Sequence, residues 1–282
     1  MEQQKIGKKI GTGAQAKIYE WGEGRVVKLF GSSTPKTWTE YEYYFTKFAH
    51  DNALPVPDVY EIIEYNGQNG IVMERIEGKN IMQTISFKIW KGYYYAAMMA
   101  DLQAKINAVK APYEAMPVRE MLRHWINSSD YAPQKTREAV LRILDRLPDG
   151  ETICHMDIHP MNIIISANGP VIIDWPGASK GDPMADVART WVLCSFPSTS
   201  RLLNQIVGGL LSNIELKYLQ QYKTKADFNE EQYELWKIPN IAGRIAMERS
   251  KDNQRILLNV LEKKLEEFGG KRVESSLCGN DV

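Results

Sequence analysis

The sequence predicts an α+β fold of two lobes: a small antiparallel-sheet lobe over residues 1–76, a larger helical lobe over 77–269, and a disordered tail at 270–282. Three observations carry this. Short alternating apolar runs broken by glycine fill the first lobe, whereas from about residue 80 apolar residues recur at helical spacing. One late hairpin interrupts the helices, where Ala167-Asn168-Gly169-Pro170 joins the apolar residues after Asn162 to Val171-Ile172-Ile173. Asn-Gly between apolar runs is a hairpin signal because both residues tolerate positive φ.

Composition narrows the partners. Formal net charge is +0, so nothing favours nucleic acid or an anionic membrane surface, and neither is expected as a partner. The N-terminus lacks the apolar core of a signal peptide, and no apolar run is long enough to span a bilayer. Cys154, Cys194 and Cys278 form no close-spaced metal pattern. Free thiols and a cytoplasmic location are the expectation.

Residues 5–30 read as three short antiparallel strands with turns at Gly11–Gly13 and Gly22–Gly24. The Gly-x-Gly-x-x-Ala run beginning at Gly11 precedes a strand rather than a helix, which argues against a dinucleotide fold, and no Walker-type loop occurs. A flap remains, with backbone N–H groups around Gly11 and Gly13 facing the phosphates of a nucleotide. Lys28 stands inside Val26-Val27-Lys28-Leu29-Phe30, either on the solvent face of a sheet or held for a purpose. Ser33-Thr34-Pro35 predicts a helix start with a hydroxyl cap. Trp38, Tyr41, Phe45, Phe48 and Ala49 then mark an apolar stripe that contains Glu42. An inward carboxylate requires a partner, and Lys28 is the candidate; the pair would aim the lysine at the α- and β-phosphates. Glu40, the competitor, falls on the opposite face.

Leu54-Pro55-Val56-Pro57 is a rigid link, followed by strands Val59–Tyr65 and Gly70–Ile76. The second loses its apolar pattern at Glu74 and leads toward a helix. Exposed backbone groups at Glu74 and Ile76 are candidates to pair with an adenine edge; a simple connector is the alternative. Tyr94, Met98, Leu102 and Ile106 mark a long helix, and residues 134–147 another. Gly181-Asp182-Pro183 opens a further helix, with Asp182 as cap and Met184, Val187, Ala188 and Trp191 inward, a stripe that Asp186 does not share. Helical segments over 200–269 are expected to break near Thr224–Asp227 and at Pro239.

The densest run of polar chemistry is His155-Met156-Asp157-Ile158-His159-Pro160-Met161-Asn162, with Asp174 closing the hairpin. The hairpin should return Asp174 to the place where Asn162 begins its strand, and clustered oxygens at a sheet end suit magnesium and phosphate. A polar loop capping a buried hairpin is the plainer alternative. The order of glycine flap, strand Lys, helix Glu, hinge, His-x-Asp-x-x-x-x-Asn and later Asp resembles the protein-kinase-like superfamily. It looks specifically like its aminoglycoside phosphotransferase and choline kinase branch, over roughly residues 5–250. The family loop usually reads His-Gly-Asp-Leu-His-Pro-Gly-Asn; here Met156 and Met161 replace the glycines, Pro176 follows Trp175, and Gln103 replaces a histidine.

The resemblance implies a bilobal protein-kinase-like fold transferring the γ-phosphate of ATP, with GTP as a possible donor, to a hydroxyl of a small-molecule acceptor. Asp157 would be the catalytic base and Asn162 and Asp174 the Mg2+ ligands. His155 and Asp186 would be supporting residues, with Asp186 bracing the catalytic loop. Asp-Phe-Gly and Ala-Pro-Glu are missing, and the link from Asp174 to Asp182 is too short for an activation segment, so a protein acceptor is disfavoured. A nucleotide-binding pseudokinase acting as an interaction module is the rival from another class. Asp130, Glu230, Glu231, Glu248 and Asp252 are candidate acids beside the loop, and such a cluster would favour a cationic or polyhydroxylated acceptor.

Overall fold

The computed structural model describes residues 6–13, 15–85, 91–196 and 215–277, with side chains up to residue 269. Its contacts divide the chain into two compact units, residues 1–92 with 159–178, and residues 93–158 with 179–282. The first unit thus runs past the expected boundary at 76 and takes in the late hairpin, because that hairpin finds its strand partner there.

In the first unit β1 (Lys9–Thr12), β2 (Ala16–Glu20), β3 (Arg25–Phe30), β4 (Val59–Tyr65) and β5 (Gln68–Glu74) form an antiparallel sheet in the order β1-β2-β3-β5-β4. Alternation gives the sheet two apolar faces, one built on Trp21, Val27 and Val72, the other on Ala16, Phe30, Val59 and Ile71. The turn between β4 and β5 is Asn66-Gly67, both at positive φ (51° and 73°), so β5 starts two residues before the expected Gly70. It ends at Glu74, not Ile76, and the expected exit into a helix is instead a further strand, β6 (Gly78–Asn80), which precedes α2 (Ile81–Ile85) in the chain. β6 pairs with β8 (Ile163–Ser166), which pairs with β9 (Gly169–Ile172). Ser166 pairs with Gly169, so the hairpin loop is Ala167-Asn168, and Pro170 sits on the edge strand, where its missing donor costs no ladder bond.

The helix α1 (Lys36–Asp51) starts with Pro35 as its N-cap and no side-chain cap bond, so the expected hydroxyl cap does not form. Its buried residues are Thr39, Glu42, Phe45, Thr46 and Ala49, whereas Trp38 is 54% exposed. The stripe is thus rotated by one residue from the expected one, and Glu42 lies at its centre.

The second unit comprises α3 (Gly92–Asn107), α4 (Val118–Asn127), α5 (Gln134–Leu144) and α6 (Pro183–Ser195), then a helix over described residues 215–223 (α7), α8 (Glu230–Met247) and α9 (Lys251–Leu277). A strand pair, β7 (Thr152–Cys154) with β10 (Ser179–Gly181), joins them. Tyr95, Met99, Leu102 and Ile106 are the buried line of α3, and Tyr94 is exposed. Steps of four residues overshoot a helical turn by about 40° each, so a line drawn only from fours leaves the core. Asp182 caps α6 as expected, accepting from Met184 N–H at 2.6 Å, with Pro183 in the first turn.

Two expectations are overturned in these helices. Pro239 does not break the chain but lies inside α8, where the Asn240 side chain donates to Trp236 C=O at 3.0 Å. Asp186 is fully buried while Trp191 is only partly so, because α6 packs against both α8 and β7 and is covered on nearly every side. α9 continues into the expected tail to Leu277; residues 278–282, including Cys278, and the segment 197–214 lie outside the described residues. Among the described residues no helix is long and apolar enough to cross a membrane.

Candidate active site

In the first unit, Lys28 leaves β3 on the face of Phe30, and its ammonium stands 2.5 Å from Glu42 Oε1 and 2.5 Å from Asp174 Oδ1. Burial alone would lower the lysine's pKa, but the fields of Glu42 and Asp174 outweigh it and hold the pKa above its ordinary value. The lysine is therefore a fixed cation. Glu42 is buried, and its Oε2 has no hydrogen-bond partner among the described residues. Glu40 is exposed and pairs with Lys36 at 3.7 Å.

Asp174 follows β9 at φ 72°, a left-handed backbone that turns the chain as it leaves the hairpin. Asn162 precedes β8, and Ile173 N–H donates to Asn162 C=O at 3.0 Å. The hairpin therefore brings Asn162 and Asp174 to adjacent strand ends, as its sequence implied. An amide oxygen and a carboxylate are hard donors that fit magnesium, which takes one or two protein ligands and leaves its other positions to water and phosphate. Among the described residues no group of three His, Cys, Asp or Glu side chains forms a closed metal cage.

Other predicted nucleotide contacts sit in the same unit. Gly11 pairs with Ile18, and Gly13 N–H donates to Ala16 C=O at 2.8 Å, closing the tight turn between β1 and β2. Glu74 is engaged at both ends by Asp58: its N–H donates to Asp58 C=O at 2.8 Å and its carboxylate accepts from Asp58 N–H at 3.2 Å. Ile76 is half-buried in the link between β5 and β6.

In the second unit the loop after β7 begins with His155, fully buried, whose Nδ1 accepts from Asp157 N–H at 3.2 Å. Met156 takes φ 62° without being glycine. Its N–H donates to Asp186 Oδ1 at 2.7 Å, and Asp186 Oδ2 accepts from Asn107 Nδ2 at 3.0 Å. Asn107 also donates to Ile153 C=O and accepts from Tyr222 O–H at 3.0 Å. Asp186 thus braces the loop by its backbone, through a network that reaches α3 and α7.

Sequence reasoning missed Arg189 and Asn107. Arg189 Nε donates to Met156 C=O at 3.2 Å, and its buried guanidinium lies 5.0 Å over the Trp125 ring. Burial lowers its pKa to about 10, against the opposing field of Asp157. The available signal was its position three residues after Asp186, which puts both on one helical face. Gln103, in the family's histidine position, is buried and accepts from Thr190 O–H at 2.9 Å and from Tyr218 O–H.

The predicted acids are mostly neutralised. Asp130 meets Arg137 at 2.8 Å, Glu230 meets Lys223 at 2.6 Å and Asp252 meets Arg255 at 3.1 Å. Glu248 is buried against Arg244 at 2.8 Å and accepts from the N–H groups of Arg249 and Ser250. Glu231 lines a cavity of about 640 Å³ at the starts of α6 and α8, whose lining includes no residue of the loop 155–162.

A family model described as the phosphotransferase enzyme family matches residues 7–222. Among solved structures, a thermostable mutant of aminoglycoside phosphotransferase APH(4)-Ia is similar at TM-score 0.63 and 13% identity, over 94% of this chain and 95% of that one. A choline/ethanolamine kinase family protein from Mesorhizobium loti is similar at TM-score 0.63 and 14% identity, over 93% and 88%. The streptomycin-ATP-APH(2")-IIa ternary complex follows at 0.58 and 14%, over 92% and 91%. A search of curated protein sequences found no match. At these identities the structural likenesses establish a shared fold, that of the protein-kinase-like phosphotransferases.

Proposed function

The chain belongs to the phosphotransferase enzyme family, and we propose that it moves the γ-phosphate of ATP to a hydroxyl of a small molecule. The observation that carries this reading is the fixed cation Lys28, held by Glu42 and Asp174, in the unit where Asn162 lies beside Asp174. A lysine pinned by a buried carboxylate is suited to the α- and β-phosphates, and Asn162 and Asp174 would hold magnesium. When bound, that ion neutralises charge on the phosphates.

Asp157, five positions before Asn162 in the sequence, orients the acceptor hydroxyl and takes its proton. The acceptor oxygen bonds to the γ-phosphorus, the bond to the β–γ bridging oxygen breaks, and ADP leaves with that electron pair. His155 and Asp186 hold the loop and take no part in bond making. GTP is the alternative donor.

The paired state of Asp130, Glu230, Glu248 and Asp252 removes most of the electrostatic case for a cationic acceptor. The acceptor class proposed is a polyhydroxylated or amino alcohol, an aminoglycoside, a sugar or a choline-like compound. The test is coupled ADP release by the purified chain with MgATP or MgGTP, across streptomycin, choline and neutral sugars, with phosphorylated product identified by mass spectrometry. Nucleotide binding without phosphoryl transfer to any hydroxyl would favour the interaction-module reading instead.

A further inference from the structure

Met156 is the strained point of the catalytic loop. A side-chain-bearing residue at φ 62° is held there against its own preference for negative φ. It is also the residue immediately before Asp157, so its backbone angles set the direction in which that carboxylate leaves the loop. Both polar ends of Met156 are tied to one turn of α6. Asp186 accepts its N–H at 2.7 Å, and Arg189, three residues further on the same face, donates to its C=O at 3.2 Å.

Arg189 is itself built in. Arg189 is 3% exposed, and its guanidinium lies over Trp125 of α4 and reaches Met247 Sδ at the end of α8 at 3.3 Å. Among the described residues it forms no ion pair, the fields of Asp157 and Asp186 reaching it without direct contact, and its Nη1 has no hydrogen-bond partner. A buried guanidinium without a salt bridge is a costly element if packing were its only task. What it does reach is the carbonyl of the strained residue.

We propose that Arg189 is a positioning residue for phosphoryl transfer: with Asp186 it clamps the two ends of Met156 in the left-handed conformation and so fixes the presentation of Asp157. The inference rests on the reading of Asp157 as the proton acceptor. Losing the clamp lets residue 156 relax toward negative φ and swings Asp157 away from the hydroxyl, while Lys28, Asn162 and Asp174 in the other unit keep their own contacts. The defect belongs in kcat rather than in the KM for nucleotide.

The experiment measures ADP release with MgATP, using streptomycin as acceptor and water where streptomycin is not turned over, for Arg189→Met, Met156→Gly, the double variant and Asp157→Asn. Arg189→Met should lower kcat about 10- to 100-fold, the size expected from a small misplacement of a reacting group, with KM for ATP within about twofold. Glycine adopts positive φ without a clamp, so Met156→Gly in the Arg189→Met background should recover most of the loss. Hydrogen exchange of the peptide spanning 155–158 should rise in Arg189→Met and fall again in the double variant. If Arg189→Met does not fold, Arg189→Lys, which keeps a buried cation but loses the fork, carries the same comparison. Wild-type kcat in the Arg189 variant, a loss that Met156→Gly does not relieve, or a parallel rise in KM overturns the clamp. Wild-type kcat in Asp157→Asn instead overturns the assignment of the base, and the exchange measurement then still decides the clamp.

Discussion

Replacing Lys28 by methionine tests the energetics of the ion-pair centre without any ligand. The change leaves Glu42, 2% exposed and with one oxygen already unpartnered, as a buried charge with its cation gone. Removing one member of a buried pair costs about 3–5 kcal/mol. Glu42→Gln is milder, about 1–3 kcal/mol, because Lys28 keeps Asp174 at 2.5 Å. The double variant should lose less than the sum, since the two residues act as one unit. The penalty also has a pH signature. Burial raises the pKa of Glu42, an effect that Lys28 opposes, so in Lys28→Met the folded value rises further above the unfolded one. Between those two values the folded state binds more protons than the unfolded, and stability falls as pH rises. The deficit of Lys28→Met should therefore shrink as pH is lowered through that window, by up to about 1.4 kcal/mol per unit. Urea unfolding of the four proteins at pH 7.5 and pH 5.5 measures this. A deficit below about 1 kcal/mol at pH 7.5, or one that grows at pH 5.5, refutes the reasoning.

Asp157→Asn should retain fold and MgATP affinity while losing most turnover, read by titration calorimetry beside steady-state kinetics. Asp174→Ala should weaken nucleotide binding in magnesium but not in EDTA; equal affinities for wild type and variant in magnesium would exclude Asp174 as a ligand. Asp182→Ala removes the cap on Met184 N–H and should cost about 1 kcal/mol in thermal or urea unfolding.

What could be read from the sequence, and what could not, divides along a physical line. The pairing of Glu42 with Lys28 was legible because a carboxylate on an apolar stripe has to find a cation, and few stood in reach. The meeting of Asn162 with Asp174 was legible because a hairpin fixes its own register. Trp38 and Tyr94 were misplaced because large apolar residues at helix ends fit a stripe by spacing while three-dimensional packing decides their burial. Asp186 read as outward for the opposite reason: the first turns of α6 are covered on nearly every side and offer no polar face, and only its neighbours, Asn107 and Met156, show why a carboxylate belongs inside. Arg189 acts on a backbone carbonyl, and backbone partners leave no mark on side-chain spacing. β6 is three residues long, too short to show a period.

The pairing of β6 with β8 bears on how the chain is made. The first unit is discontinuous: residues 1–92 meet the remaining segment of their own unit only at 159–178. On a ribosome adding about 5–20 residues per second, the five-stranded sheet can form early, but β6 waits with one edge bare until all of 93–158 has emerged. Lys28 and Glu42 lie in that first segment and can pair early, but Asp174, the lysine's second partner, is made only after the delay. Until then the nascent unit carries an open strand edge, a feature that chaperones bind and that aggregation exploits, and a synonymous change that slows translation between Tyr93 and Ile158 would lengthen that exposure without altering a single residue.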